Sequence, residues 1–245
     1  MDDPYFHNIS EGHRLSTEQQ QQLLEVGFVV IPDMVPNAAI AEFQEAYDAT
    51  MASGDGDDYK VASSTTRLND FVNRGAAFDA LYLYAPLLAA SSLVIGAPFK
   101  LSSMLGRTLR PHTAAQDLHA DLRRDSDAFP MVGFILMVDA FRPDNGATRF
   151  VPGSHLRTEP PETCLPDLRT SLDDEVLACG QAGAVTIFNA SVWHGHTANS
   201  SDNARRSIQG YFVPREARSG PNPGARMKPE TLARIGPLAR YLLAV

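Results

Sequence analysis

The spacing of apolar positions changes character partway along the chain. Before residue 98 it is mostly helical. Ile40, Phe43, Tyr47 and Met51 fall on one face at helical spacing and predict an amphipathic helix over 37–52. Ser16-Thr17-Glu18-Gln19 has the form of a capping box, in which hydroxyl and side-chain amide satisfy opposing backbone N–H groups; it opens a short helix ending at Gly27. Phe28-Val29-Val30-Ile31 reads as a strand stopped by Pro32, and 75–95 as a second helical stretch. Beyond residue 98 the segments 99–110, 131–141, 184–189 and 206–213 are short, apolar or alternating, and bounded by Gly, Pro, Asn and Asp. That texture belongs to an antiparallel sandwich or barrel. Gly153, Pro160, Pro161 and Pro166 mark a long surface excursion between strands, and Leu232, Ile235, Leu238 and Leu242 predict a closing helix. The expected organisation is a helical part over about 1–97, a β core over about 98–215 and a C-terminal helix over about 228–245. Neither half alone has room for much of a core, so a single domain over 1–245 is expected, mainly β with flanking α-helices.

Composition narrows the function classes. With 245 residues, 44% of them apolar, the chain can bury a real core. Its 21 basic against 29 acidic residues leave a net charge of −8, which argues against nucleic acid as a partner and for a small-molecule substrate. Purely apolar runs such as Phe134–Val138 are far below a membrane span, and Met1-Asp2-Asp3-Pro4 lacks the apolar region of a secretory signal. Cys164 and Cys179 form neither a disulfide framework nor a zinc ribbon, so a reducing cytoplasm is the expected location. The acidic turn Gly54-Asp55-Gly56-Asp57-Asp58 lacks the ligand series and closing Glu of an EF-hand and reads as a solvated turn.

Chemistry concentrates at two places. In His119-Ala120-Asp121 the His and Asp stand two apart, so on an extended segment both reach the same side. Trp193-His194-Gly195-His196 follows the apolar run Ala184–Phe188 and precedes Asn199, Ser201, Arg205 and Arg206. An HxD followed 73 residues later by a histidine fits a 2-His-1-carboxylate facial triad, which leaves open positions on an iron(II) ion. On spacing alone His194 and His196 compete for the third place.

These residues resemble the phytanoyl-CoA dioxygenase family of iron(II)/2-oxoglutarate oxygenases. The resemblance rests on Gln116-Asp117-Leu118-His119-Ala120-Asp121, on the run from Asn145 to His155 that ends Pro152-Gly153-Ser154-His155, and on Trp193-His194-Gly195 with Asn199, Ser201 and Arg205-Arg206. It implies a double-stranded β-helix, a jelly-roll (cupin-like) core. It implies His119, Asp121 and His194 as metal ligands, because the family places Asn five and Arg eleven residues after the last ligand, as Asn199 and Arg205 stand here. His196 then becomes a wall of the pocket, and His155 a structural histidine. Arg205 matches the arginine that clamps the distal carboxylate of 2-oxoglutarate, while Arg206 should face the other way; Thr148 and Gln116 match further cosubstrate contacts. Implied cofactors are Fe(II), O₂ and 2-oxoglutarate, and the implied reaction is hydroxylation of an unactivated C–H with release of succinate and CO₂. The same iron centre supports desaturation, cyclisation, epoxidation or epimerisation, whereas a broken triad would have pointed to a non-catalytic jelly-roll binder. Halogenating relatives carry a small residue in place of the carboxylate, so Asp121 favours oxygenation.

The substrate pocket is expected to draw on Arg67 in the 59–75 stretch, Arg107 in the 99–110 strand, Arg123 and Arg124 in the 122–130 loop, and Trp193 beside the ligand. Several cations near an opening suit a carboxylate or phosphate.

Overall fold

Ten strands form two antiparallel sheets in the computed structural model, which describes residues 3–12, 14–123, 130–218 and 222–245. The strands are β1 (Phe28–Ile31), β2 (Tyr59–Val61), β3 (Thr65–Leu68), β4 (Phe99–Leu109), β5 (Val132–Met137), β6 (Thr148–Phe150), β7 (Val176–Ala178), β8 (Val185–Asn189), β9 (His194–His196) and β10 (Arg205–Pro214). The major sheet has the order β1-β8-β5-β10-β4-β3-β2 and the minor sheet β7-β6-β9. Phe28 of the major sheet stacks on Phe150 of the minor one with ring centroids 4.2 Å apart, and Phe150 also meets Phe188. The sheets thus pack face to face as a jelly roll.

The major sheet is covered on both sides, which explains why every residue of β5 is buried. Val132, Phe134 and Leu136 join the core beneath the helices, while Ile135 and Met137 join the core between the sheets. The helices of the outer layer are α1 (Pro4–Glu11), α2 (Thr17–Glu25), α3 (Ile40–Ala52), α4 (Asp79–Tyr82) and α5 (Ala85–Ile95). The capping box forms as expected: Ser16 Oγ accepts from Gln19 N, and Ser16 N donates to Gln19 Oε1.

Three expectations need correction. The 75–95 stretch is broken: a 3₁₀ turn and α4 end at Tyr82, and α5 restarts at Ala85 with Pro86 in its first turn. Pro86 lacks an N–H, so it starts a helix readily but does not continue one. A short helix, α6 (Pro161–Cys164), lies in the excursion between strands, and the closing helix is likewise two, α7 (Pro229–Arg234) and α8 (Pro237–Leu243), with Gly236-Pro237 at the break. The part before residue 98 holds the expected strand Phe28–Ile31 as β1, but also two unexpected strands of the major sheet, β2 and β3. Among the described residues no single helix is long and apolar enough to cross a membrane.

Candidate metal centre and cosubstrate site

Strand β9 lies between β6 and the HxD segment. His119 N donates to His194 O and His194 N to His119 O, both at 2.9 Å, and Gln116 N donates to His196 O. This local ladder extends the minor sheet and sets the HxD beside the third histidine. Alternation along β9 then sorts its side chains. His194 and His196 turn inward, paired in register with Phe150 and Thr148 of β6. Trp193 and Gly195 turn outward, where a Cβ on Gly195 would sit 3.0 Å from Gln116 O and 3.6 Å from Arg149 Nε. A glycine is needed there because the HxD backbone and the Arg149 guanidinium both cross close above it.

One ligand atom each from His119, Asp121 and His194 lies within 4.8 Å of the others. Both imidazoles are oriented by their far nitrogens. His119 Nδ1 donates to Asp117 O at 2.9 Å and His194 Nδ1 to Val192 O at 3.0 Å. A carbonyl only accepts, so each Nδ1 carries a proton, and in the neutral imidazole that a metal requires Nε2 keeps the lone pair on the side of Asp121. Nε2 of His194 stands 3.3 Å from Asp121 Oδ2, and Nε2 of His119 stands 3.7 Å from Oδ1. Burial opposes ionisation of Asp121, but hydrogen bonding and charge from His194, with help from the Tyr211 hydroxyl, bring its pKa down to about 2. Burial favours neutral His194 too, yet the adjacent carboxylate raises its pKa; at His119, burial and the neighbouring His194 lower it. Two correctly tautomerised imidazoles and one ionised carboxylate suit a divalent transition metal, so the residues present fit an iron(II) ion.

The opposite wall comes from the major sheet. Along β10, alternation puts Arg205, Gln209 and Tyr211 on the inner face, and with Arg107 of β4 and Arg67 of β3 they line one cavity of about 350 Å³ with the three ligands. Arg205 is only 2% exposed, its guanidinium lies over the Phe141 ring at 4.1 Å, and its Nε has no hydrogen-bond partner among the described residues. Burial, with repulsion from Arg107, pulls its pKa down to about 9. Arg107 is also brought down, to about 10, by burial and then by Arg67, and its Nε is likewise unpartnered. A buried cation without a carboxylate is costly until an anion arrives. Gln116 and Thr148 complete the same cavity. It widens into a mouth of about 630 Å³ that shares Arg67, Arg107, Gln116, His119 and His196 and adds Ser63, Ser64 and Thr113.

Of the residues expected at the site, His119, Asp121, His194, Arg205, Gln116, Thr148, Arg67 and Arg107 therefore line one cavity, and Arg123 and Trp193 do not. Arg123 has a well-exposed side chain and pairs with Glu162. Trp193 faces away from the cavity, packed with Leu118 and Val151 beneath Arg157. Arg124 lies outside the described residues. His196 shares the cavity wall, with burial lowering its pKa to about 4 and Nδ1 donating to Thr197 O. His155 Nε2 meets Leu24 O, tying the Pro-Gly turn to α2. Arg206 points the other way and binds Asp139 and Asp48. Asn199 is fully buried and shapes the turn after β9: Nδ2 donates to the carbonyls of Arg110 and Asn203, and Oδ1 accepts from Ser201.

Sequence reasoning gave no role to Tyr211 or Arg149. Tyr211 donates to Asp121 Oδ2 at 2.6 Å, and period-two counting from Arg205 is the signal that would have found its inward position. Arg149, 1% exposed, donates to the carbonyls of Gln116, Leu168, Arg169 and Thr170 and pairs with Glu175. It fastens the 165–175 excursion to the start of the HxD segment.

The chain is similar to known proteins. The dioxygenase cdmA of Talaromyces verruculosus is 36% identical over 108 residues, covering 41% of this chain and 35% of that protein. The chain thus aligns with only about a third of that relative's length. The dioxygenase trt7 of Aspergillus terreus is 27% identical over 82% of this chain and 74% of its own. Among solved structures, HygX from Streptomyces hygroscopicus, with nickel, 2-oxoglutarate and hygromycin B bound, superposes with a TM-score of 0.67 at 19% identity, covering 82% of this chain and 88% of its own. At that identity the likeness speaks for the fold. The profile of the phytanoyl-CoA dioxygenase family matches residues 23–207, well over half of the chain, and the protein belongs to that family.

Proposed function

We propose that the protein is an iron(II)/2-oxoglutarate-dependent dioxygenase that hydroxylates an unactivated C–H of a small molecule. The observation that carries this reading is the convergence of His119, Asp121 and His194 in a cavity whose other wall holds the buried, carboxylate-free Arg205. His119, Asp121 and His194 hold the metal; Arg205 takes the distal carboxylate of 2-oxoglutarate in a planar two-bond clamp that lysine would reproduce poorly. Gln116 and Thr148 contact the same cosubstrate. When bound, iron with 2-oxoglutarate and O₂ supplies oxidising power, one oxygen atom entering the substrate C–H and the other ending in succinate as CO₂ leaves. The chain's own task is to position that C–H and limit water, which the Phe188 and Ile135 side of the cavity serves.

Arg67 and Arg107 line both the cavity and its mouth, and no ion pair joins either to a carboxylate among the described residues. They are suited to an anionic group on the substrate. We also propose that the chain acts as one catalytic domain, since β1–β3 belong to the same sheet as β4, β5, β8 and β10. A reducing cytoplasm accords with Cys164 and Cys179, which are free and exposed.

The test is a screen of small molecules for succinate release in the presence of Fe(II), 2-oxoglutarate and O₂, with products identified by mass. A product gaining one oxygen supports hydroxylation. A product two hydrogens lighter, or an isomer, moves the reaction to desaturation, ring closure or epimerisation. Turnover that proceeds fully without 2-oxoglutarate, or a chlorinated product in chloride buffer, contradicts the reading.

A further inference from the structure

The three metal ligands are not equally supported. His119 and His194 are fixed twice, by the paired backbone bonds between them and by their Nδ1 contacts to Asp117 O and Val192 O. Asp121 lies beyond the last paired residue of that ladder, in a bend, with a side chain 21% exposed. Apart from the two histidines, the contact its carboxylate makes among the described residues comes from the opposite sheet: the Tyr211 hydroxyl, donating to Oδ2 at 2.6 Å.

Tyr211 is well placed to hold that hydroxyl still. It sits in the middle of β10, paired with Gly133 of β5 and Ser103 of β4. The β10–β4 register shifts between Tyr211 and Phe212, where β4 carries the extra residue, Ser102. Its ring meets the Phe188 ring edge-on at 6.3 Å, and Phe188 reaches this place because Gly133 leaves room: a Cβ there would lie 2.2 Å from the Phe188 ring. Phe188 also packs on the His194 imidazole at 5.0 Å. The same aromatic ring therefore braces one ligand and the residue that holds another.

We propose that Tyr211 is the positioning residue of Asp121: its hydroxyl occupies one carboxylate oxygen from across the sandwich, so that the carboxylate meets the metal through the other oxygen alone. This rests on the metal-dependent function proposed above. A ligand held this way cannot swing to bind through both oxygens, which would consume a position needed by the cosubstrate. Partners of this kind change metal affinity by about 10- to 100-fold when removed.

The experiment is an anaerobic Co(II) titration of the apo-protein, followed by the visible ligand-field bands, for the wild type, Tyr211→Phe, Asp121→Ala and the double variant, with thermal melting of each apo-protein. Tyr211→Phe keeps the ring and its packing on Phe188. The expected result is about a 10-fold or greater weakening of Co(II) binding with an altered band shape, and little change in apo melting. In the Asp121→Ala background Tyr211→Phe should produce no further loss, because the residue acts through Asp121. Equal affinity and an unchanged spectrum in Tyr211→Phe overturn the inference, as does an equal loss in both backgrounds. If apo melting falls sharply, the band shape at saturating Co(II) decides: unchanged bands overturn the inference. Failure of the wild type itself to bind Co(II) would instead strike the proposed function.

Discussion

The two walls of the cavity differ in what they offer and in how they are built. The minor-sheet wall offers donors to a cation: His119, Asp121 and His194, with Gln116 and Thr148 beside them. Its strands are three residues long, and its geometry depends on side chains such as Arg149 and on the single glycine between the two histidines. The major-sheet wall offers cations to anions: Arg107 and Arg205 on the long strands β4 and β10, and Arg67 on the four-residue β3. On the proposed function the metal would sit on the minor-sheet wall and the distal carboxylate of the cosubstrate on Arg205 of the major sheet, with Tyr211 of the major sheet reaching across to Asp121. The weak wall, with its short strands, would then be tightened by the binding energy of the metal, while the desolvated cations stand on the helix-covered sheet.

The sharpest way to break this comparison is at the third ligand. Anaerobic Fe(II) with 2-oxoglutarate should give a weak visible charge-transfer band in the wild type. His194→Ala should abolish the band and all turnover, while His196→Ala should keep it; the reverse pattern would move the ligand along β9. Next comes the cation wall. Arg205→Ala should raise the apparent KM for 2-oxoglutarate by roughly 30-fold or more, since stranding one partner of a buried charge pair costs about 2–5 kcal/mol. Metal affinity without cosubstrate should stay near wild type, because Arg205, unlike Tyr211 on the same strand, makes no hydrogen bond or ion pair with the three ligands among the described residues. A loss of both together would show that Arg205 also supports the metal side.

A third test addresses how the weak wall is fastened. Arg149→Met removes a buried guanidinium that serves four carbonyls and Glu175, both side chains being under 10% exposed. Thermal or urea unfolding should show a loss of about 3 kcal/mol, and excess metal should recover part of it. Smallest is Arg206→Ala. Its carboxylate partners are partly solvated, so a loss of about 1 kcal/mol is expected with KM for 2-oxoglutarate unchanged. A large rise in that KM would put the strand one residue out of register.

The same contrast decides what could be read from the sequence. β4 and β10 were legible from alternation, and β5 and β8 as short apolar runs bounded by turn residues, the pattern of strands buried on both faces. β6, β7 and β9 were not: three residues give no period, and β9 spends its inward positions on His194 and His196. β2 and β3 were hidden by polar residues at the sheet edge, and the apolar run through Tyr84-Ala85-Pro86 concealed a helix break. At the site, local spacing exposed the pair His119 and Asp121, and the resemblance to the family singled out His194 and Arg205. Tyr211 escaped because its role is a contact with Asp121 from the opposite sheet, and Trp193 was drawn in by adjacency to His194 although adjacent strand residues face opposite ways.

The most direct measurement is a crystal structure of the protein soaked anaerobically with Fe(II) and 2-oxoglutarate. One octahedral iron should sit on His119, Asp121 and His194, chelated by the oxo acid, whose distal carboxylate lies across the cavity on Arg205. Iron on His196, or a distal carboxylate seated on the minor-sheet wall and leaving Arg205 without an anion, would contradict the division of labour between the two sheets.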